Sequence, residues 1–396
     1  MTTNSNTQEP FKPSQTKSSL VTDPAPTKPF WRRFLVPIVI VVLFGSFEIL
    51  NWTTGLTSEV LVPQFGTSAQ TVIGRMVFLI WMGVILGWLL VTRQVAWSKK
   101  LLVFSSVGLI ILLLLACIRS IENTGNNHYV FHWRWEKTQD QRLAEFEDKS
   151  KQEKSNTFQL DPEAPQFTDF LGPNRNGVVP GPKLDTDLKA HPPKELWRRP
   201  MGESYAGFAI SGGLAVTIEQ RSDDEVVVAL EIKTGKDIWT RAYPGYFKEE
   251  LGGNGPRATP TIAGNEVFAL GAAGLLVCLD LATGEEKWKA NILSDAAADN
   301  ITWGMSGAPL VTVDRVIVNP GGTSGKGVVA YNRQTGKIDW CSGKNRAGYS
   351  SPTLATIQGI PQVLVLDAQE LASYDLEKGT MLWRFPFKTF NGINVG

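Results

Sequence analysis

Few residues of this 396-residue chain stand in patterns that chemistry requires. His128 and His132 are four apart, a spacing that zinc could use, but further ligands are absent nearby. Trp133 and Trp135 follow them, so an interfacial segment is the expectation. Gly322-Thr-Ser-Gly-Lys326 approaches a phosphate-cradling loop, yet Pro320 occupies the first glycine position and Gly327 replaces the Ser or Thr that would hold Mg²⁺. It reads as a glycine-rich hairpin. His191 precedes Pro192-Pro193, a loop context that gives Ser-His-Asp catalysis no support. Cys117, Cys278 and Cys341 are odd in number and widely separated, which excludes a disulfide framework and any Cys-x-x-Cys site. No catalytic residue and no metal ligand are assigned.

The bulk properties narrow the classes further. With 39 basic against 38 acidic side chains and a formal charge of +1, there is no basic stripe to displace phosphate counterions, so nucleic acid is not an expected partner. Residues 1–30 are polar and lack apolar periodicity, which predicts a disordered tail. Three apolar runs follow, at 34–50, 72–92 and 101–118, inside a membrane domain spanning 31–118. Each is close to the ~20 residues that cross about 30 Å of hydrocarbon. No small-x-small cleavage site follows the first run, and two more spans come after it, so it is not read as a signal peptide. Arg32, Arg33, Arg93, Lys99 and Lys100 flank the runs on one side, and the 51–71 loop contains no Lys or Arg. The positive-inside rule then puts the N-terminus in the cytoplasm of a multi-pass plasma (inner) membrane protein and everything after Ile118 outside. Residues 119–165 form a charged stalk or linker, in which Glu145 and Lys149 have the spacing of an exposed helical pair.

Internal repetition decides the fold of residues 166–396. Four segments share one pattern: Ala229-Leu-Glu-Ile-Lys-Thr-Gly-Lys-Asp-Ile-Trp239, Cys278-Leu-Asp-Leu-Ala-Thr-Gly-Glu-Glu-Lys-Trp288, Ala330-Tyr-Asn-Arg-Gln-Thr-Gly-Lys-Ile-Asp-Trp340 and Ser373-Tyr-Asp-Leu-Glu-Lys-Gly-Thr-Met-Leu-Trp383. Gly235, Gly284, Gly336 and Gly379 each precede their tryptophan by four residues. With the earlier Trp197, successive tryptophans are 42, 49, 52 and 43 residues apart, the period of a four-stranded propeller blade. Asp280 and Asp375 can accept backbone hydrogen bonds at the start of a turn, and the glycine supplies a positive-φ position. The hairpin would join the third and outermost strands, with the tryptophan filling the gap between blades. The expected fold is an all-β propeller of four recognisable blades.

Ala-x-Asp-x-x-Thr-Gly-x-x-x-Trp resembles the tryptophan-docking motif of pyrroloquinoline quinone (PQQ) type β-propellers. That resemblance covers Phe170 to the C-terminus, where Phe170-Leu-Gly-Pro-Asn-Arg-Asn-Gly177 is similar to the start of membrane-associated PQQ-like repeat proteins. It implies a ring of seven or eight blades. The propeller is then incomplete at the C-terminus, by about 150 residues at this period, or forms an open half-ring that needs a partner. The family has two branches, quinoprotein dehydrogenases and non-catalytic members such as the propeller subunit of the outer-membrane β-barrel assembly machinery. The enzymes use a vicinal Cys-Cys disulfide, with a Glu and an Asn on Ca²⁺. Here no two cysteines are adjacent, and Ser306 to Gly327, which resembles the blade carrying that Glu, has no acidic residue between Asp314 and Asp339. Arg257 sits where the enzymes carry a cofactor-proximal arginine. The expectation is a membrane-anchored, extracytoplasmic module that binds the bilayer and a protein partner, with no cofactor and no catalysis of its own. The alternative is a membrane-bound dehydrogenase of alcohols or sugars using PQQ with Ca²⁺.

Overall fold

The computed structural model describes residues 67–93, 95–123, 129–151, 158–179, 185–249, 252–389 and 392–395. The predicted tail 1–30, the predicted span 34–50 and His128 lie outside the described residues. Chain contacts divide the molecule into two units, 1–113 and 114–396.

The first unit contains α1 (Thr67–Val91) and most of α2 (Trp97–Cys117). Among the described residues α2 is the one helix long and apolar enough to cross a membrane, while α1 carries a shorter apolar stretch, Met82–Val91. Between the two helices, Lys100 is buried with its Nζ donating to the Leu90 carbonyl at 2.7 Å, and it stands over the Trp97 ring.

The second unit opens with a two-stranded hairpin, β1 (Ile118–Asn123) and β2 (Tyr129–Trp133), followed by α3 (Gln139–Lys151). Four antiparallel four-stranded sheets come next, each running in sequence order from its first strand to its last. Blade 1 is β3 (Ala209–Ser211), β4 (Leu214–Arg221), β5 (Asp224–Glu231) and β6 (Asp237–Pro244). Blade 2 is β7 (Thr261–Ala263), β8 (Glu266–Leu270), β9 (Leu275–Asp280) and β10 (Glu286–Asn291), with the short α4 (Ile292–Ala296) after it. Blade 3 is β11 (Leu310–Val311), β12 (Arg315–Val318), β13 (Val328–Asn332) and β14 (Ile338–Ser342). Blade 4 is β15 (Thr353–Ile357), β16 (Ile360–Leu366), β17 (Glu370–Asp375) and β18 (Met381–Pro386).

Strand sequence explains this stacking. A strand covered on both faces reads as continuous apolar residues, and Glu266-Val-Phe-Ala-Leu270 does so. Val267 and Ala269 pack with Leu214, Val216 and Trp239 of blade 1, while Phe268 and Leu270 pack with Val316, Val318 and Tyr331 of blade 3. Alternate residues thus feed two different cores. Blade 3 and blade 4 share a third core through Ile317, Val328, Trp340, Val363 and Tyr374. The antiparallel order also fixes two rims. One carries the turn between the second and third strand of every blade together with the connectors from blade to blade, here termed the near rim. The far rim carries the other two turns of each blade.

Residues 139–151, read from the sequence as part of a linker, lie on blade 1. Leu143 is buried, Glu147 pairs with Arg221 at the end of β4, and Asp140 accepts from Ser222 Oγ of the β4–β5 turn at 3.2 Å. Arg199 stands over the Phe146 ring, 4.8 Å from its centroid. Glu145 pairs with Lys137 at 2.7 Å, and the side chain of Lys149 lies outside the described residues.

Candidate functional site

The repeated glycines and tryptophans form one contact made four times. Gly235, Gly284, Gly336 and Gly379 have φ of 70°, 67°, 67° and 67°. In the blade motif a carboxylate or carboxamide at the turn start satisfies the loop: Asp280 Oδ1 accepts from the Ala282 and Thr283 amides at 3.0 Å, and Asn332 Oδ1 from Gln334 and Thr335 at 3.1 and 3.0 Å. A bulge follows in all four blades, immediately beside the pairs Ala229↔Trp239, Cys278↔Trp288, Ala330↔Trp340 and Ser373↔Trp383. Such a bulge re-aims the side chain next to it.

The ring so aimed lies on the glycine of the next blade. A Cβ on Gly284 would stand 2.5 Å from the Trp239 ring, and one on Gly336 would stand 2.6 Å from that of Trp288. Trp197 covers Gly235 and Trp340 covers Gly379 in the same way. Each indole Nε1 donates to the carbonyl three residues before that glycine: Trp197 to Ile232 (2.9 Å), Trp239 to Leu281 (2.9 Å), Trp288 to Arg333 (2.7 Å) and Trp340 to Leu376 (3.2 Å). Trp383 differs. Its Nε1 donates within its own blade, to Gln362 Oε1 at 2.8 Å, and 36% of the residue is exposed.

The segment entering the propeller ties the first three blades at their innermost strands. Phe167 pairs with Ile210 of β3, and the Ile262 amide of β7 donates to the Thr168 carbonyl at 2.8 Å. Asp169 accepts from Thr261 Oγ1 at 3.1 Å and pairs with Arg175 at 2.9 Å. Arg175 then donates to the carbonyls of Pro309 (2.9 Å) and Ala308 (3.0 Å) at the start of blade 3. Burial pushes the Asp169 carboxyl up and the Arg175 guanidinium down from their ordinary values, with each partner opposing the other's shift. Sequence reading placed Phe170 to Gly177 at the propeller's start without assigning Asp169 or Arg175 a role. The internal Asn-Arg-Asn-Gly turn was the available signal.

At the near rim, Arg257 lies between two aromatic rings, 5.1 Å from that of Tyr205 and 5.4 Å from that of Phe247. Its Nη atoms donate to the Gly252 and Gly253 carbonyls at 3.1 and 2.5 Å, and burial lowers its pKa. Trp303 and Tyr349 meet in a tilted pair, with ring centroids 5.5 Å apart and planes at 51°. Glu225 answers the Ala272 amide at 2.7 Å, and burial raises its pKa. Gly322 and Lys326 pair as a bridge, and Lys326 Nζ donates to the Asp295 carbonyl at 2.7 Å, so this loop is a hairpin and no helix N-terminus follows it.

Among the described residues no three His, Cys, Asp or Glu side chains come together as a metal site. The three cysteines are free, and both Nη atoms of Arg257 are spent on backbone carbonyls. Cys278 is fully buried, and burial first of all pushes its thiol up to about 12. Because thiolate is the reactive form, iodoacetamide at pH 7.5 is expected to leave Cys278 unmodified in the folded protein and to alkylate it fully in guanidinium, read by peptide mass. Native-state alkylation at a rate comparable to the denatured chain would contradict this burial.

Comparison with known proteins gives a family. The profile described as outer membrane protein assembly factor BamB matches residues 187–274 and 223–394, together more than half of the chain. No curated protein matches the chain in sequence. Among solved structures, the chain is similar to quinohemoprotein alcohol dehydrogenase from Comamonas testosteroni (17% identity over 49% of this chain and 36% of that one, TM-score 0.36). It is also similar to BamB from Moraxella catarrhalis (20% identity over 48% of this chain and 56% of that one, TM-score 0.33). The chain thus spans between about a third and somewhat more than half the length of these structures.

Proposed function

We propose, for a chain that belongs to the PQQ-repeat family described as outer membrane protein assembly factor BamB, that it is a membrane-anchored protein-binding scaffold. In this reading the three apolar runs span the inner membrane and the propeller lies on the extracytoplasmic side. The observation that carries the binding role is the outward face of blade 4. Ile357, Ile360, Trp383 and Phe385 are exposed by 36%, 49%, 36% and 62% on that sheet. At three earlier positions along the array the equivalent tryptophan is covered by the next blade. An exposed apolar surface of this kind marks an interaction site.

The test places a photo-crosslinking residue at Phe385 and, as control, at the exposed far-rim Lys233, in native membranes. Protein adducts from Phe385 and none from Lys233 are expected. No adduct from Phe385 would remove the binding role. A parallel titration with PQQ and Ca²⁺, followed by tryptophan quenching, is expected to show no saturable change. Stoichiometric micromolar binding would instead support the dehydrogenase.

A further inference from the structure

We propose that the hairpin β1–β2 and the Trp133-Arg134-Trp135 turn lie in the headgroup layer of the bilayer, and that the propeller presents its near rim to the membrane. This inference rests on the membrane-anchored reading. It adds a lipid-contacting surface outside the spanning helices and an orientation for the propeller, neither of which follows from anchoring alone.

The first observation is the face that the hairpin leaves uncovered. Ile121 and Phe131 are cross-strand partners, and opposed residues of an antiparallel pair share one face. They are 53% and 47% exposed. Trp133 has the same parity as Phe131, and its ring stacks on that of Trp135 at 5.2 Å with planes 6° apart. Trp135 is itself 69% exposed. The opposite face carries Ser120 and His132, which line a cleft of about 840 Å³ together with Arg142, Tyr246, Lys248 and Asn254. The hairpin therefore lends Ser120, His132 and part of Ile121 to the cleft, and leaves Phe131 and Trp135 exposed.

The second observation names the occupant. Arg119 stands two residues beyond the end of α2, the helix able to cross a membrane, and the Arg134 amide donates back to the Cys117 carbonyl at 2.9 Å. Both strands are thus pinned to the helix end. A span that ends there delivers the hairpin at headgroup level, where paired tryptophans with an apolar body and a polar edge are favoured. Arg134 is exposed within the same turn and is long enough to reach phosphates. A bilayer has the chemistry that this surface fits, whereas the acidic residues Glu203, Asp223 and Glu249 line the cleft.

Orientation follows from what the hairpin and α3 adjoin. The cleft walls opposite the hairpin are Gln220 near the end of β4, Ser222 and Asp223 of the β4–β5 turn, and Tyr246, Lys248 and Asn254 of the connector that follows β6. α3 is bonded to that same turn through Asp140 and to the end of β4 through Glu147. Turn and connector both belong to the near rim, so that rim faces the lipid and the far-rim hairpins of Gly235, Gly284, Gly336 and Gly379 face the aqueous phase.

The test uses the full chain with Cys117→Ser, since buried Cys278 and half-buried Cys341 have thiols pushed up by burial. Single cysteines are introduced as Phe131→Cys, Trp135→Cys, Leu109→Cys within α2, and Gln334→Cys on the far rim. Each is labelled with nitrobenzoxadiazole and reconstituted in phosphatidylcholine nanodiscs with or without nitroxide lipid. A segment seated about 5–10 Å into the boundary should lose about two-fold or more of its emission to the nitroxide. That loss is expected at positions 131, 135 and 109, with position 334 unquenched. Quenching at 109 with none at 131 and 135 would overturn the inference and leave anchoring intact. No quenching at 109 would overturn anchoring and with it this proposal. Equal quenching at 334 and 131 would overturn the orientation.

Discussion

Gly284→Val is expected to cost the propeller about 3 kcal/mol or more, close to the upper range of single substitutions. Two separate penalties meet at this residue. Its φ of 67° is a region where a β-branched side chain is strongly disfavoured, a strain of about 1–3 kcal/mol. Independently, the new Cβ would stand 2.5 Å from the Trp239 ring, which must then withdraw. That withdrawal breaks the Nε1 bond to Leu281 and opens a core shared by Leu214, Val216, Val267 and Leu279. Gly325→Val separates the two penalties, because Gly325 has a φ of 83° with nothing within 4 Å of its Cβ position. Only the backbone strain should appear there. Equal midpoint shifts for the two variants in thermal or urea unfolding would show that the tryptophan contact contributes nothing. The larger loss at Gly284 is the expected result.

The same contact explains why the blades were legible in the sequence. A positive-φ turn, a side-chain acceptor such as Asp280 and a bulge at Trp288 are local requirements, and each demands a particular residue type at a fixed offset. Continuous apolar strands such as Val226 to Leu230 are legible for a related reason, since both of their faces are covered. What packs on what is not local. Glu147 finds Arg221 across 74 residues, and Arg175 reaches Ala308 across 133, and neither pairing leaves a periodic trace. A charged run such as Gln139 to Lys151 reads as a solvated linker unless the one apolar residue buried by it, Leu143, is known to have a socket. The absence of acidic residues between Asp314 and Asp339 was readable directly. By contrast, the occupation of Arg257 by the Gly252 and Gly253 carbonyls depends on a loop conformation that composition does not encode.

Arg175→Met should be the second large loss, about 3–5 kcal/mol, because removing one partner of a buried pair leaves the other charge uncompensated. Methionine keeps the aliphatic volume but cannot donate to Pro309 and Ala308, so blade 3 loses its tie to the entering segment. Asp169, with a side chain 12% exposed, then retains only Thr261 Oγ1 and the Phe170 amide as donors. The cost should depend on pH in a definite direction. Burial already raises the Asp169 pKa in the native state, and loss of Arg175 removes its largest opposing influence. A carboxyl whose folded pKa lies above its unfolded value of about 3.9 favours the native state when protonated, and that contribution is lost as pH rises through the folded pKa. The gap between variant and parent should therefore be widest near neutral pH and narrow as pH falls toward the unfolded pKa. Adding Asp169→Asn should close much of the neutral-pH gap, since the carboxamide carries no charge to strand. A gap unchanged across this pH range, or an additive double variant, would mean that the segment is held by its backbone pairing with Ile210 and Ile262 and that the ion pair is incidental.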